Sequence, residues 1–256
     1  MPQNDSPLAR PGDIAAGFVL LSRLPVRATD AALARGAAAA WAWPVVGAML
    51  GGISGMAAVV AMSLGLPAPL AAGLCLGLMA MMTGAMHEDG LADTVDGFWG
   101  GWTRERRLEI MKDSHIGSYG VIALILSLGL RWMALSTLFE AGLALPALIA
   151  AGALSRAVMP VLMHALPPAR EGGLARSVGR VDFDTAVLGA AVAAVMALLA
   201  LGLTALPLVL AVTVAGWGAG ALARAKIGGQ TGDVLGASQQ LAEIAALVLL
   251  AALSGA

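Results

Sequence analysis

The sequence predicts an all-α fold: a polytopic integral membrane helix bundle with about seven transmembrane helices, forming a single domain over residues 1–256. Hydrophobic residues make up 59% of the chain and charged residues 12%, and the mean hydropathy is +0.85. The apolar residues form continuous runs of about 20, the length that crosses a hydrocarbon core. Continuous runs indicate helices rather than the alternating strands of a membrane barrel.

The apolar runs that we interpret as spans lie at 37–64, 67–86, 116–139, 143–166, 183–204, 206–223 and 231–254. Lys and Arg occur in the segments on one side of these runs and not in the turns on the other side. Short loops that are rich in Lys and Arg stay in the cytoplasm, so we expect a cytoplasmic N-terminus and an external C-terminus. The basic residues that define this side are Arg10, Arg23, Arg27, Arg35, Arg104, Arg106, Arg107, Lys112, Arg170, Arg176, Arg180, Arg224 and Lys226.

Residues 1–36 precede the first run and are predicted to form a cytoplasmic or interfacial N-terminal segment. The apolar stretch 14–21 within it is too short to span a bilayer. Arg23, Leu24 and Pro25 follow at the place where a signal peptide would carry small residues for cleavage. We therefore predict an interfacial or re-entrant helix here.

An acidic motif follows the second run, within residues 87–99. If the motif is helical, Asp89, Asp93 and Asp96 lie within about 60° of one another on one face. Like charges at this spacing destabilise a helix, so a bound cation is expected. Carboxylate oxygens suit Mg²⁺, which also keeps waters and binds substrate phosphates. The candidate metal ligands are Glu88, Asp89, Asp93 and Asp96. His87 is a candidate base, and the alternative is a solvated interfacial helix with His87 as a hydrogen-bonded bystander.

A basic segment continues this region, so that residues 87–115 are predicted to lie together on the cytoplasmic side. Basic residues beside a carboxylate-bound metal suggest a phosphate ligand, because Arg offers a planar donor fork and Lys a point charge. Cytoplasmic basic residues also serve topology and bind anionic lipid headgroups, which is the alternative. The candidates for substrate binding are Arg104, Arg107, Lys112, Asp113 and Ser114.

A glycine-rich turn at 228–237 joins the last two runs and is a candidate second half of the same site. Its glycines permit close backbone approach. Gln230, Thr231 and Asp233 are candidate substrate-binding residues, and the alternative is a helix N-cap with tight packing.

Arg131, Arg156 and Glu243 lie near the middle of predicted spans. Because a charge that faces lipid costs about 2.5 to 3.5 kcal/mol or more, these side chains must face inward. Glu243 is expected to pair with one Arg, which would leave the other available to a phosphate. Arg156 is therefore also a candidate for substrate binding.

Three stretches, at 87–97, 108–120 and 228–233, closely resemble cobalamin synthases, the adenosylcobinamide-GDP ribazoletransferase family. Residues 23–26 and 44–47 also resemble its N-terminal signature, which adds Arg23 to the candidate substrate-binding residues. The family usually has an apolar residue where Glu88 stands, Arg at His115 and Thr at Ser118. The resemblance covers almost the whole chain and implies a multi-pass protein of the bacterial cytoplasmic (inner) membrane, with its active site on the cytoplasmic side.

The resemblance implies that α-ribazole, or its 5′-phosphate, is joined to adenosylcobinamide-GDP. The products would be adenosylcobalamin, or its phosphate, and GMP, and Mg²⁺ would be required. In this mechanism the ribose 3′-hydroxyl attacks the cobinamide-linked phosphorus. Asp89, Asp93 and Asp96 would hold Mg²⁺ on the diphosphate, and a carboxylate, with or without His87, would accept the hydroxyl proton. The implied partners are these substrates and the lipid bilayer, without nucleic acid. Self-association and association with other late enzymes of cobalamin synthesis stay open.

Two other functions are compatible with parts of the sequence. CDP-alcohol phosphotransferases also bind metal through clustered Asp residues on membrane helices, and residues 93–97 look like the start of their signature. The match fails after Gly97, because the signature needs Ala-Arg two residues later and Gly100 and Gly101 stand there. A cation or solute transporter is less compatible, because the acidic residues cluster at one surface rather than at the midplane and no inverted repeat is visible.

Overall fold

A computed structural model describes residues 7–255 of the protein, and helices dominate this part of the chain. The described residues contain no strand, only an isolated bridge between Pro168 and Gln230. The helices are α1 Gly12–Leu21, α2 Asp30–Leu33, α3 Trp43–Ser63, α4 Ala68–Thr83, α5 Met86–Gly100, α6 Arg104–Ile110, α7 Ser118–Glu140, α8 Ala144–Ala165, α9 Leu174–Val178, α10 Phe183–Leu201, α11 Ala205–Ile227 and α12 Gly232–Ser254, with 3-10 turns at Gly36–Ala42 and Gly202–Thr204.

The long helices confirm the predicted polytopic membrane bundle. Within residues 7–255, 5 helical stretches are long and apolar enough to cross a membrane, and the bent pair of α4 and α5 adds a sixth. The stretches are Gly36–Ser63, Ser118–Glu140, Ala144–Ala165, Phe183–Ile227 and Gly232–Ser254. The predicted spans other than the second lie within these stretches to within two residues. The predicted second span corresponds to α4, which ends early, at Thr83.

The predicted fifth and sixth spans share the stretch Phe183–Ile227, which is 45 residues long. Gly202 divides it, with φ of +60° that glycine adopts readily. Ala190 of α10 and Trp217 of α11 both line one apolar groove beside α8. Residues so far apart in sequence can share a groove only if the chain turns back, so α10 and α11 are two arms of a hairpin.

A sharp bend separates α4 from α5 and sets the direction of the acidic motif. The two helices meet at 88°, across Gly84 and Ala85, which have φ of +66° and +54°. Positive φ is uncommon for Ala and indicates local strain that the surrounding structure maintains. The acidic motif is therefore helical, as predicted, but its helix turns away from the second span instead of extending it.

The centre of the bundle is the crossing of α3 and α8, where glycines bring the two backbones together. A Cβ atom added to Gly51 would collide with the carbonyl of Leu148, and one added to Gly47 would collide with the carbonyl of Gly152. Small residues at a crossing are a common means of packing membrane helices, because they allow close van der Waals contact.

We expect Gly51→Ala to destabilise the protein by about 1 to 3 kcal/mol, because the added methyl group overpacks this crossing. Gly52→Ala is the matched control on the same helix. Its added Cβ would lie 3.7 Å from Cγ1 of Ile149, which is ordinary contact. Thermal unfolding in detergent measures both variants. Equal unfolding temperatures for the two would show that the α3–α8 crossing tolerates a larger side chain.

The N-terminal segment is anchored to the start of the first span. Helix α1 has 10 residues, too few to cross a bilayer, as predicted. Asp13 at its start is buried and accepts hydrogen bonds from Nε of Arg35 at 2.6 Å and Nε1 of Trp41 at 2.7 Å. These bonds satisfy a buried charge and hold α1 against the 3-10 turn that leads into α3.

Candidate active site

Helices α5 and α12 pack closely and bring the acidic motif to the glycine-rich turn. A Cβ atom on Gly90 would lie 2.8 Å from the carbonyl oxygen of Asp233, and one on Gly236 would lie 3.2 Å from Cα of His87. The absence of side chains at Gly90 and Gly236 allows this approach. The two sequence motifs that were predicted to form halves of one site are therefore adjacent.

Three carboxylates, Asp89, Asp93 and Asp233, form what we call the carboxylate cluster. Asp89 is exposed, whereas Asp93 and Asp233 are half-buried. The charges of Asp89 and Asp233 both act on Asp93, as does the positive charge of Arg170. Among the described residues, no three His, Cys, Asp or Glu side chains converge as a ready-made metal site. The carboxylate cluster thus concentrates negative charge, and its Asp89 side chain is accessible to solvent.

Asp96 has a different environment from Asp89 and Asp93. Its carboxylate is buried and accepts hydrogen bonds from the backbone N–H groups of Gly117 at 2.7 Å and Gly120 at 2.9 Å. These donors lie at the N-terminus of α7, where amide groups have no partner within the helix. An anion is favoured there by the helix dipole. Asp96 therefore holds α7 against α5, a role that sequence spacing did not indicate.

Glu88 faces the bundle interior rather than the carboxylate cluster. Nη2 of Arg131 lies 3.1 Å from its Oε1 atom, and only 13% of the Glu88 side chain is exposed. Neighbouring helical residues point in different directions, so Glu88 has its partner inside the bundle, and its role as a metal ligand stays a prediction.

Arg156 is bound inside the bundle, and its role in binding substrate stays a prediction. Glu243 binds both central arginines, with Oε1 at 3.2 Å from Nη1 of Arg131 and Oε2 at 2.8 Å from Nη1 of Arg156. Gln239 adds a hydrogen bond to Glu243 at 2.6 Å. The prediction assigned Glu243 to one Arg only, whereas each of its oxygens serves a different Arg. We call Glu88, Arg131, Arg156 and Glu243 the buried ion network.

His87 is buried within the protein, with 2% of its surface exposed. Its Nε2 atom has no hydrogen-bond partner among the described residues. The ring lies between the buried ion network and an apolar cavity of about 50 Å³ that Trp43 and Met159 also line. This position separates His87 from the exposed carboxylate of Asp89, so a role as general base stays a prediction.

Arg104 and Arg107 bind backbone carbonyl groups, and their role in binding phosphate stays a prediction. Arg104 donates to the carbonyl of Ile227 at 2.8 Å and to that of Ala169 at 2.5 Å. Arg107 donates to the carbonyl of Lys226 at 2.9 Å. The last carbonyls of a helix lack partners within it, and Lys226 and Ile227 end α11. The two arginines therefore attach α6 to the end of α11.

Residues 112–116, which follow α6 after the buried Met111, are exposed, and none of the hydrogen bonds or ion pairs of the described residues joins them to the carboxylate cluster. Lys112, Asp113 and Ser114 belong to this group. Nδ1 of His115 lies 2.6 Å from Oδ1 of Asp113. This hydrogen bond raises the pKa of His115 above its ordinary value and lowers the pKa of Asp113.

The remaining candidates lie at the edges of the site. Arg23 is exposed beside the bend at Gly84. Thr231 is the N-cap of α12: its hydroxyl accepts from the N–H of Val234 at 3.3 Å and donates to Asp233 at 3.2 Å. The capping alternative is therefore confirmed for Thr231. Gln230 is 3% exposed, and its Oε1 atom has no partner among the described residues.

Arg170 is the residue at the cluster that the sequence analysis missed. Its Nη2 atom lies 3.1 Å from Oδ2 of Asp233. In the sequence it counted only as a cytoplasmic basic residue between the fourth and fifth spans. The sequence placed Arg170 on the same side of the membrane as the acidic motif, which was the one indication of this contact. The two segments are far apart in the chain, so their contact could not be predicted.

The comparison with known proteins identifies the family. The sequence model described as cobalamin-5-phosphate synthase matches residues 13–251. The chain belongs to the cobalamin-5-phosphate synthase family. Adenosylcobinamide-GDP ribazoletransferases are similar in sequence: that of Bradyrhizobium diazoefficiens is 48% identical over 244 residues, covering 93% of this chain and 92% of the relative. That of Mesorhizobium japonicum is 45% identical, with coverage of 93% and 92%.

A third relative, from Brucella canis, is 43% identical over 252 residues and covers 93% of this chain and 95% of its own length. It is also an adenosylcobinamide-GDP ribazoletransferase. No solved structure matches the chain. The predicted family resemblance is confirmed, and membership of the cobalamin-5-phosphate synthase family makes this protein a membrane enzyme, a transferase of cobalamin biosynthesis.

Proposed function

We propose that the protein joins α-ribazole, or α-ribazole 5′-phosphate, to adenosylcobinamide-GDP and releases GMP. The observation that supports this most is the meeting of Asp89 and Asp93 with Asp233 and Arg170 at one end of an apolar bundle. Negative and positive groups side by side suit a metal-bound diphosphate, which carries both a cation and phosphate oxygens. The relatives named for this reaction support the choice of substrates.

The donor set of the carboxylate cluster fits Mg²⁺. All its side chains offer hard oxygen atoms, and their mutual repulsion is reduced when a cation binds. Mg²⁺ needs only one or two protein carboxylates when waters and substrate phosphates complete its octahedron. We therefore assign Asp89 and Asp93 as the residues that would hold it, with Asp233 facing them. When bound, Mg²⁺ supplies charge neutralisation on the diphosphate oxygens.

The protein groups orient the reacting atoms and receive a proton. The 3′-hydroxyl oxygen of the ribazole ribose forms a bond to the cobinamide-linked phosphorus. The bond from that phosphorus to the bridging oxygen breaks, and this oxygen leaves with its electron pair on GMP. A carboxylate of the cluster accepts the hydroxyl proton. Asp89 is the accessible member and is our proposed acceptor.

We further propose that this site faces the cytoplasm from the inner membrane. Arg104 belongs to the basic segment between the second and third predicted spans, and it binds the carbonyls of Ala169 and Ile227. Ala169 adjoins the basic segment between the fourth and fifth spans, and Ile227 adjoins the one between the sixth and seventh. Basic residues from separate parts of the chain therefore gather at the end that carries the cluster. By the positive-inside rule, this end is cytoplasmic.

GMP release by purified protein tests the proposed function. Wild-type enzyme in detergent or proteoliposomes is incubated with Mg²⁺, adenosylcobinamide-GDP and either α-ribazole or its 5′-phosphate, and GMP and the corrinoid product are measured by chromatography. We expect equal amounts of the two products, dependent on Mg²⁺. Folded protein that releases no GMP would overturn the proposal, and CMP release from a CDP-linked lipid would identify a CDP-alcohol phosphotransferase instead.

A further inference from the structure

Arg170 is the basic side chain that contacts the carboxylate cluster. Its Nη2 atom pairs with Oδ2 of Asp233 at 3.1 Å, and its charge acts on Asp93. Its Nη1 atom is buried and has no hydrogen-bond partner among the described residues. Since a guanidinium has five N–H donors in a planar fork, Asp233 fixes one arm and leaves the other free to donate.

Three of the other candidate arginines, Arg104, Arg107 and Arg156, already have partners within the protein. Arg104 and Arg107 donate to carbonyl groups of the α11 end and of Ala169. Arg156 is bound to Glu243 inside the bundle. Arg170 therefore combines two properties within residues 7–255: contact with the carboxylate cluster and an unused buried donor.

The backbone around Arg170 is tied to the start of α12. The N–H of Ala169 donates to the carbonyl of Gln230 at 2.8 Å, and the N–H of Gln230 donates to the carbonyl of Pro167 at 2.9 Å. The side chain of Arg104 also donates to the carbonyl of Ala169. These bonds fix the position of residue 170 relative to Asp233, so little conformational freedom is lost when its guanidinium binds a ligand.

We propose that Arg170 is a substrate-binding residue that donates from Nη1 to a phosphate oxygen of the diphosphate. This inference rests on the proposed function and names the positively charged side chain that binds the diphosphate. In the reaction, the bridging oxygen leaves on GMP with the electron pair of the broken bond, so negative charge increases on the departing phosphate. A guanidinium beside that oxygen stabilises the developing charge, and Asp233 holds the guanidinium in place.

Inhibition by GDP and by guanosine tests this role, because the two differ only in the diphosphate. We expect Arg170→Gln to raise the half-inhibitory concentration of GDP by about 10- to 100-fold, the loss of one charge-assisted hydrogen bond, and to leave that of guanosine unchanged. The KM for adenosylcobinamide-GDP should rise and that for α-ribazole should not. Arg170→Lys should be intermediate, because it keeps the charge but loses the fork.

Arg176→Gln is the matched control. Arg176 is an exposed arginine in α9 on the same connecting segment, and we expect wild-type inhibition by GDP. If Arg170→Gln lowers kcat but leaves the ratio of the half-inhibitory concentrations of GDP and guanosine unchanged, Arg170 only holds Asp233 in place. That result would overturn the inference.

The outcomes also separate this inference from the proposed function. Wild-type protein that releases GMP while Arg170→Gln keeps full sensitivity to GDP would overturn the role of Arg170 and leave the function intact. If wild-type protein releases no GMP, the proposed function fails, and calorimetric titration with GDP then tests Arg170 alone. Equal Kd values for GDP in wild type and Arg170→Gln would overturn it.

Discussion

Asp89→Asn and Asp93→Asn are each expected to lower kcat for GMP release by about 10²- to 10³-fold, the usual cost of removing one preorganised electrostatic group. The amide keeps the size and polarity of the side chain but removes the charge that would bind Mg²⁺ and accept a proton. Membrane insertion and folding should be unaffected, because Asp89 is exposed and Asp93 is half-buried among like charges. Steady-state GMP release by purified variants measures the effect.

Glu105→Gln is the control for loss of a carboxylate near this end of the bundle. The Glu105 side chain is 72% exposed, and its nearest basic group is Nη1 of Arg104 at 3.9 Å. We expect wild-type turnover from it, since an exposed ion pair contributes little. Unfolding temperatures of all variants establish that they are folded. Wild-type turnover in both Asp variants would refute the assigned roles of Asp89 and Asp93.

Glu243→Gln should lower the free energy of unfolding by about 3 to 5 kcal/mol, because it leaves buried positive charge without its partner. Glu243 is 3% exposed and binds Arg131 and Arg156 with separate oxygens. In the neutral amide, one of the two oxygens that face these arginines is replaced by an NH2 group, which donates rather than accepts. Thermal unfolding of the detergent-solubilised protein should detect the loss as a lower midpoint.

The double variant Arg156→Gln with Glu243→Gln tests whether charge imbalance causes the loss. It leaves Arg131 with Glu88, which already pair at 3.1 Å, so we expect it to unfold at a higher temperature than Glu243→Gln alone. Glu140→Gln, at the exposed end of α7, is the control and should be neutral. An unchanged unfolding temperature for Glu243→Gln would show that the buried ion network is not a source of stability.

The consecutive residues Glu88 and Asp89 show why the buried ion network and the candidate active site meet on one helix. Glu88 points inward to Arg131, whereas Asp89 is exposed. A step of one residue rotates a side chain by about 100° around the helix axis. Helix α5 thus carries a structural charge on one side and the carboxylate cluster on another, and the network holds α5 against α7 and α12.

Much of the fold was predictable because the bilayer imposes a length and an apolar composition on every spanning helix. Residues 37–64 and 143–166 were predicted within about two residues of the helical stretches Gly36–Ser63 and Ala144–Ala165. The bend at Gly84 and Ala85 was not predicted, because it depends on two consecutive residues with positive φ rather than on hydropathy. For the same reason the early end of α4 was missed.

The sequence by itself determined that this protein is a membrane helix bundle and which motifs are candidates for its chemistry, because apolar run length and local clustering of acidic residues are properties of neighbouring residues. It also determined the family, through motifs in a fixed order. Only the tertiary structure decided the partner of each charge. Arg104 and Arg107 bind carbonyl groups, Asp96 binds α7, and Arg170 joins Asp233. These pairings depend on which helices meet, which hydropathy cannot specify since every span is apolar.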